Sequence, residues 1–397
     1  MFRINVDGAS GLRFTDLEIA PRDSMYIFVE ATLDPNNSDE ILRIQDSIVF
    51  EANGNVQDVD LVAWGQDVHM IGGEVIDQSI TWTAGKPYLI IDYLYVDSLS
   101  TLSIDPGVKV YLHKDAMIYV NGSLEVNGTL DQPVHFGGDR LEEFYEHLPG
   151  QWGLIYFTEN SHSNRIAHAE IRNGTIGILI SARPESGRMP DLQLESTLIS
   201  RMSSSGIYAL NASLSASNLV VGDCGSSCVS LVYGGDYHFT HCTLANFWPL
   251  GFAPRRLPAL WMADYFVNYD DDGNLVLISG GEFDNAVFRN SIIYGSRAME
   301  LLIDSYDDLQ LNYLMDYCLT RIHEDSVRYL NDPLITNIIN NQEPLFDSIP
   351  VFYELDSLSP AIDAGLPGHA VGFPLDRNGN SRLNDAAPDL GAYEWVG

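Results

Sequence analysis

Two clusters of side chains in this 397-residue chain combine rings with both signs of charge. The first is Asp139, Arg140, Glu142, Glu143, Tyr145, His147 and Trp152, within G-G-D-R-L-E-E-F-Y-E-H-L-P-G-Q-W. Rings stack on the apolar faces of sugars while guanidinium and carboxylate groups bond hydroxyls, so this set suits carbohydrate binding. The competing reading is structural: Trp152 and Tyr145 pack the segment down and Arg140 pairs with a local carboxylate. The second cluster is Trp248, Arg255, Arg256, Trp261, Asp264 and Asp270–Asp272, in a long excursion of the kind that often carries function. Its adjacent arginines suit a carboxylate or sulfate, or serve only to neutralise nearby Asp. A third set, Asp376, Asn378 and Asn380, spaces oxygen ligands somewhat as a calcium loop does. Its Gly stands fourth rather than sixth, which favours a plain turn. Calcium is the one cofactor this set brings into question, and no residue is assigned a catalytic role.

The elements that must position these residues are short strands. T-L-S-I-D-P-G at Thr101 recurs as S-L-E-V-N-G-T at Ser123, so that Leu102 returns as Leu124 and Ile104 as Val126, a step of 22 residues. Each copy alternates apolar and polar residues and ends in a turn signal. One such unit cannot bury its apolar stripe alone, whereas stacked copies can, which is the logic of a β-solenoid. A further position recurs along the stack at His168, Ser196, Asn218, His241, Asn290 and Asp316, and is expected to form a ladder of polar side chains at one corner. The segment 137–152 interrupts the coils, with a short helix expected over Arg140–His147. Regular coils are expected from Tyr88.

Residues 1–68 read as antiparallel β: Phe2–Asp7, Leu12–Ile19, Met25–Thr32, Ile41–Phe50 and Val56–Trp64, separated by turn signals. This spacing suggests an immunoglobulin-like β-sandwich. Five strands are few for a closed one, so further strands and an export signal are expected upstream. Residues 69–344 are assigned to the solenoid. The turn-rich 345–397 is expected to cap its open end, which would otherwise expose core and strand edges.

The chain carries 55 Asp and Glu against 21 Lys and Arg, a net charge of −34. Such a surface opposes nucleic acid and anionic membranes, and disfavours polyanionic sugars unless a cation bridges them. No apolar run is long enough to span a bilayer. Cys224 and Cys228 are close enough in sequence for a small-loop disulfide, but nothing fixes that pairing; buried thiols are the expectation for these two, Cys242 and Cys318.

The L-x-I-x-P-G coil, its period and the preceding β domain resemble right-handed parallel β-helix proteins of the pectate-lyase-like superfamily. The tail motifs S-P-A-I-D-A-G (Ser359–Gly365), D-R-N-G-N-S-R (Asp376–Arg382) and P-D-L-G-A-Y-E (Pro388–Glu394) resemble the C-terminal segment of bacterial surface proteins with that fold. The resemblance covers residues 81–397. It implies an exported protein at the cell or outer-membrane surface, lipid-anchored through an upstream segment. Superfamily enzymes cleave polysaccharides in a groove along one sheet. Of the hydrolase series N-T-D, D-D, G-H-G and R-I-K, only D-D occurs, at Asp270–Asp272 and Asp307–Asp308. The expectation is therefore an all-β protein, a sandwich followed by a right-handed parallel β-helix, that binds a polysaccharide or cell-surface glycan without cleaving it. The alternatives are a lyase or glycoside hydrolase with a diverged site, and a structural stalk.

Overall fold

The structure is a computed structural model and describes the chain except residues 36–39, 184–186, 249–251, 270–272, 279, 307–310, 348–352 and 385. Asp270–Asp272 and Asp307–Asp308 lie outside the described residues.

From His69 to Asn340 the chain winds as a parallel β-solenoid with three faces. Leu102 stacks in register on Leu124, and Ile104 on Val126. The 22-residue repeat is thus one coil. The first face comprises Glu74–Ile76, Tyr93–Val96, Met117–Val120, Ile155–Phe157, Ile178–Ser181, the first halves of Ile207–Ser217 and Val229–Thr240, Leu260–Ala263 and Leu301–Asp304. The second follows each of these along the chain, beginning at Ile80–Trp82, Thr101–Ile104 and Ser123–Asn127. The third includes Lys109–Leu112, Val134–Gly138, Ala169–Arg172, Leu198–Ser200, Val220–Gly222 and Thr243–Asn246. Regular winding starts before Tyr88, because His69–Ile71 pairs with Tyr88–Ile90.

Alternation puts one side chain in two inside. Leu94, Val96, Leu102, Ile104, Val110 and Leu112 have no exposed surface, and rings such as Phe239 and Phe288 stack along the interior at 4.9 Å. All four cysteines are free and buried in this core. Between the second and third faces the chain turns on a single left-handed residue. His168 and Ser196 have φ 47°, Asn218 51°, His241 53° and Asn290 46°. Asn and His tolerate that conformation better than branched residues. At the next corner Tyr317, not Asp316, takes it, with φ 53°, and at the one after it Asn337 does, with φ 51°.

Near the C-terminal end of the stack the helix Val327–Leu330 adds Tyr329 to the core. The Tyr329 hydroxyl accepts from the Ile303 amide at 3.0 Å and donates to the Ile303 carbonyl at 3.1 Å. The described residues of 345–397 run as a strap along the third face. Tyr353, Ala392 and Tyr393 pack on Leu198, Val220 and Ala245, while Leu355, Ala361 and Leu390 pack near Ile292 and Leu319. The corner amides supply the polar stitching. Asn218 Nδ2 donates to the Leu375 carbonyl at 2.9 Å. Asn290 donates to the Leu366 carbonyl at 3.1 Å and accepts from its amide at 2.9 Å.

The N-terminal residues form a three-stranded antiparallel sheet, with Phe2–Val6 between Ala9–Gly11 and Ile27–Ala31, and a separate hairpin of Leu42–Ala52 with Asn55–Gly65. The hairpin turns at Asn53-Gly54, both with positive φ, the pair that suits a two-residue turn. The strand expected over Leu12–Ile19 does not form. Asp16 is left-handed at φ 60°, and Leu12, Leu17 and Ile19 are exposed rather than alternating into a core.

Candidate functional site

Two features of the solenoid present side chains to solvent in an ordered array. The first is a row on the first face. Strand register carries Tyr95 to Tyr119, Tyr156, Leu179, Tyr208, Ser230 and Trp261 on successive coils. The rings point outward because their sequence neighbours, such as Leu94, Val96, Ile118 and Val120, point in, whereas Ser230 between Tyr208 and Trp261 is fully buried. All five rings are half-buried. Tyr119 and Tyr156 meet edge to face at 6.0 Å, and Ser181 Oγ donates to the Tyr156 hydroxyl at 3.1 Å. A polar row lies beside the rings. Asn121 Oδ1 accepts from Thr158 Oγ1 at 2.6 Å and from Asn160 Nδ2 at 2.9 Å. The carboxylates at the far end are engaged: Asp264 accepts from Ser305 Oγ at 2.5 Å and from the Tyr306 amide at 2.9 Å, and Asp304 accepts from the Tyr265 hydroxyl at 2.6 Å.

The second feature is a pocket of about 400 Å³ on the third face, roofed by the insertion. Its floor is two outward rows of the sheet. One holds Lys109, His135 and Glu170 in register. The other pairs Tyr111 with Gly137 and leads to Arg172. Gly137 has nothing within 4 Å of where a Cβ would stand, so the missing side chain leaves open space there. The insertion supplies the wall through Arg140, Tyr145, Glu146 and Gln151, and Asn173 and Arg201 form the end nearest the strap.

Local geometry explains why the wall stands. The expected helix is one 3-10 turn, Glu143–His147. Gln151 Nε2 donates to the carbonyls of Tyr145 at 2.6 Å and Leu148 at 2.7 Å. Asn173 Nδ2 donates to those of Glu146 at 3.0 Å and Leu148 at 2.7 Å. The Arg140 guanidinium lies 4.2 Å from the Tyr145 ring centroid and is clasped by Glu142 at 2.5 and 3.0 Å. Glu170 is flanked by Arg172 at 3.0 Å and His135 at 3.4 Å. Burial by itself would raise the Glu170 pKa, but these cations outweigh it and hold the carboxyl at about 2.

Among the residues expected at a site, Arg140 and Tyr145 line this pocket and Trp261 belongs to the ring row. Asp139 sits beside them, its carboxylate 2.6 Å from His113 Nδ1, and His147 is exposed at the end of the 3-10 turn. Trp152 is core. It is fully buried, and its indole N–H donates to the Arg172 carbonyl at 2.8 Å. Arg255 is buried as well. It holds Glu300 at 2.5 and 2.8 Å, and Glu300 also accepts from the Ala259 and Arg297 amides. Arg256 beside it is exposed. Trp248 packs on Phe252 at 5.0 Å and donates to the Ala253 carbonyl at 3.1 Å.

The residues Asp376, Asn378 and Asn380 form a turn rather than a calcium cradle. The Asp376 carboxylate accepts from the amides of Asn378, Asn380 and Glu394 and from the Asn380 side chain, so both oxygens already carry donors. Asn378 Nδ2 donates to Glu354 at 2.7 Å. Among the described residues no three His, Cys, Asp or Glu groups are placed to share a metal ion.

Single-sequence reading missed Lys109, Tyr111, His135, Glu170, Arg172 and Arg201. Their signal is register: once coils are aligned, these residues fall on adjacent outward positions of one face, though far apart in sequence. Against known proteins the chain matches no family model, no curated protein and no solved structure.

Proposed function

We propose that this protein is a glycan-binding β-solenoid of the pectate-lyase-like kind, holding an extended chain along its first face without cleaving it. The observation that carries this reading is the outward row Tyr95, Tyr119, Tyr156, Tyr208 and Trp261, aligned by strand register beside amide and hydroxyl groups. From Tyr95 to Trp261 is six coil steps, ~29 Å at ~4.8 Å per strand. A row of that length offers stacking faces to several sugars while neighbouring polar groups bond their hydroxyls. Binding is favoured over hydrolysis because Asp264 and Asp304 at the end of the row are committed to internal donors, whereas hydrolysis needs two carboxylates facing one glycosidic bond. Export to the cell surface accompanies the reading; cell fractionation and surface protease accessibility test it.

The direct test is affinity electrophoresis through gels containing neutral or acidic polysaccharides. One polysaccharide should retard the wild type. The double variant Tyr119→Ala, Tyr156→Ala should lose retardation about tenfold in affinity, since a stacked ring contributes roughly 0.5–1.5 kcal/mol. Release of unsaturated or reducing ends from the retarding polysaccharide would make the protein an enzyme and overturn the non-cleaving part.

A further inference from the structure

We infer that the third-face pocket is an oxyanion site, built for a sulfate, phosphate or carboxylate group and separate from the ring row. The first argument is local charge. In a chain with 55 acidic and 21 basic residues, this pocket reverses the balance, with Lys109, Arg140, Arg172 and Arg201 against Glu146 and Glu170. Electrostatic placement that runs against the whole-chain field marks an attraction for anions that the remaining surface lacks.

The second argument is Arg201. It is only 9% exposed, and its guanidinium donates through Nη1 to the Glu146 carbonyl at 3.2 Å. A neutral carbonyl does not offset a buried charge, and burying a cation without a counter-ion is costly. Burial first, and then the neighbouring Arg172 charge, push the Arg201 pKa down, with Asp223, Glu146 and Tyr353 acting against them. Glu170 pairs with Arg172 and His135 and not with Arg201. Asp223 lies behind Arg201, on the next coil and under Tyr353 of the strap. Burial raises its own pKa to about 6, against the charge of Arg201, which lowers it, so near neutrality it is mostly ionised and offsets part of the Arg201 charge from outside the pocket lining.

The third argument is room. The cavity is larger than a bare oxyanion, and the glycine at 137 opens its floor between Tyr111 and Arg172. An anionic group on Arg172 and Arg201 would leave Tyr111 and Tyr145 for the body that carries it. Arginine forks match planar or tetrahedral oxyanions in two-point contacts.

The test is thermal unfolding of the whole protein in sodium sulfate and in sodium chloride at matched ionic strength. Wild type should show a saturable rise in Tm with sulfate beyond that in chloride, as expected when an ion binds the folded state alone. Arg201→Gln should raise the half-saturating concentration at least tenfold. Should Arg201→Gln fail to fold, Arg140→Gln in the exposed wall should still raise it severalfold. A non-saturating rise that is the same in all variants is general exclusion of sulfate from protein surface and overturns the inference, as does an equal effect of chloride. Glucose 6-sulfate separates the sources. Half-saturation at lower concentration than inorganic sulfate identifies a sulfated sugar as the occupant, and equal values identify the free ion. Loss of the ring row in Tyr119→Ala, Tyr156→Ala should leave this binding unchanged.

Discussion

Arg255 and Glu300 show how a residue that invites a functional reading is put to structural use. An arginine pair in an acidic chain reads as a ligand site, yet Arg255 is buried against a carboxylate that accepts two further hydrogen bonds, from the Ala259 and Arg297 amides. Removing one partner of such a pair strands the other charge, so Arg255→Met should destabilise the protein by about 3–5 kcal/mol in urea titration. A loss below about 1 kcal/mol would show that the pair is not dry. Glu170 gives a pH signature. Its carboxyl is held at about 2 against 4.5 for the free group, because His135 and Arg172 outweigh the opposing effect of burial. A depressed carboxylate pKa stabilises above its unfolded value and is lost as pH falls through its folded value. The stability difference between wild type and Glu170→Gln should therefore shrink by about 3 kcal/mol between pH 5 and pH 2. A constant difference would contradict the assigned partners. Neither role was legible in the sequence, because Glu170 meets His135 and Arg172 only when coils stack.

At the scale of elements, the corner between the second and third faces does two jobs. It bends the chain with one left-handed residue, and at Asn218 and Asn290 the amide of that residue fastens the C-terminal strap. Replacing Asn290 by Gly removes only the fastening, while Ala also meets strain at φ 46°. Asn290→Ala should thus be less stable than Asn290→Gly by about 1–2 kcal/mol in denaturant titration. Equal stabilities would mean that the corner relaxes out of the left-handed region. The recurring position was visible in the sequence because a polar residue interrupts each apolar alternation. Its placement at Asp316 slipped by one residue because Tyr317 does not have the look of a corner residue. The 22-residue coil was legible for a stronger reason: inward positions are apolar, and Leu102 and Leu124 repeat the same residue in register. The contacts of the strap were not legible, since its partners Asn218 and Asn290 carry no mark of them in the sequence.

At the scale of the whole molecule, a parallel stack turns a local alternation into long straight rows, so outward residues separated by 22 to 37 positions become neighbours in the ring row. Trp261 was picked out for its type, but its companions Tyr208, Tyr156, Tyr119 and Tyr95 emerge only from register. The same stacking places a cationic pocket on a different face of a chain whose net charge is −34. A site made of rows predicts a dependence that a point site does not. The most direct test is to measure the affinity of the intact protein, by titration calorimetry, for an oligosaccharide series prepared from the polysaccharide that retards it. Affinity should rise with each added sugar until the oligomer spans ~29 Å, the length of the row at ~4.8 Å per coil, and then level off, with the rise abolished in Tyr119→Ala, Tyr156→Ala. Affinity independent of length, or a rise unchanged in that variant, would contradict glycan binding along the first face.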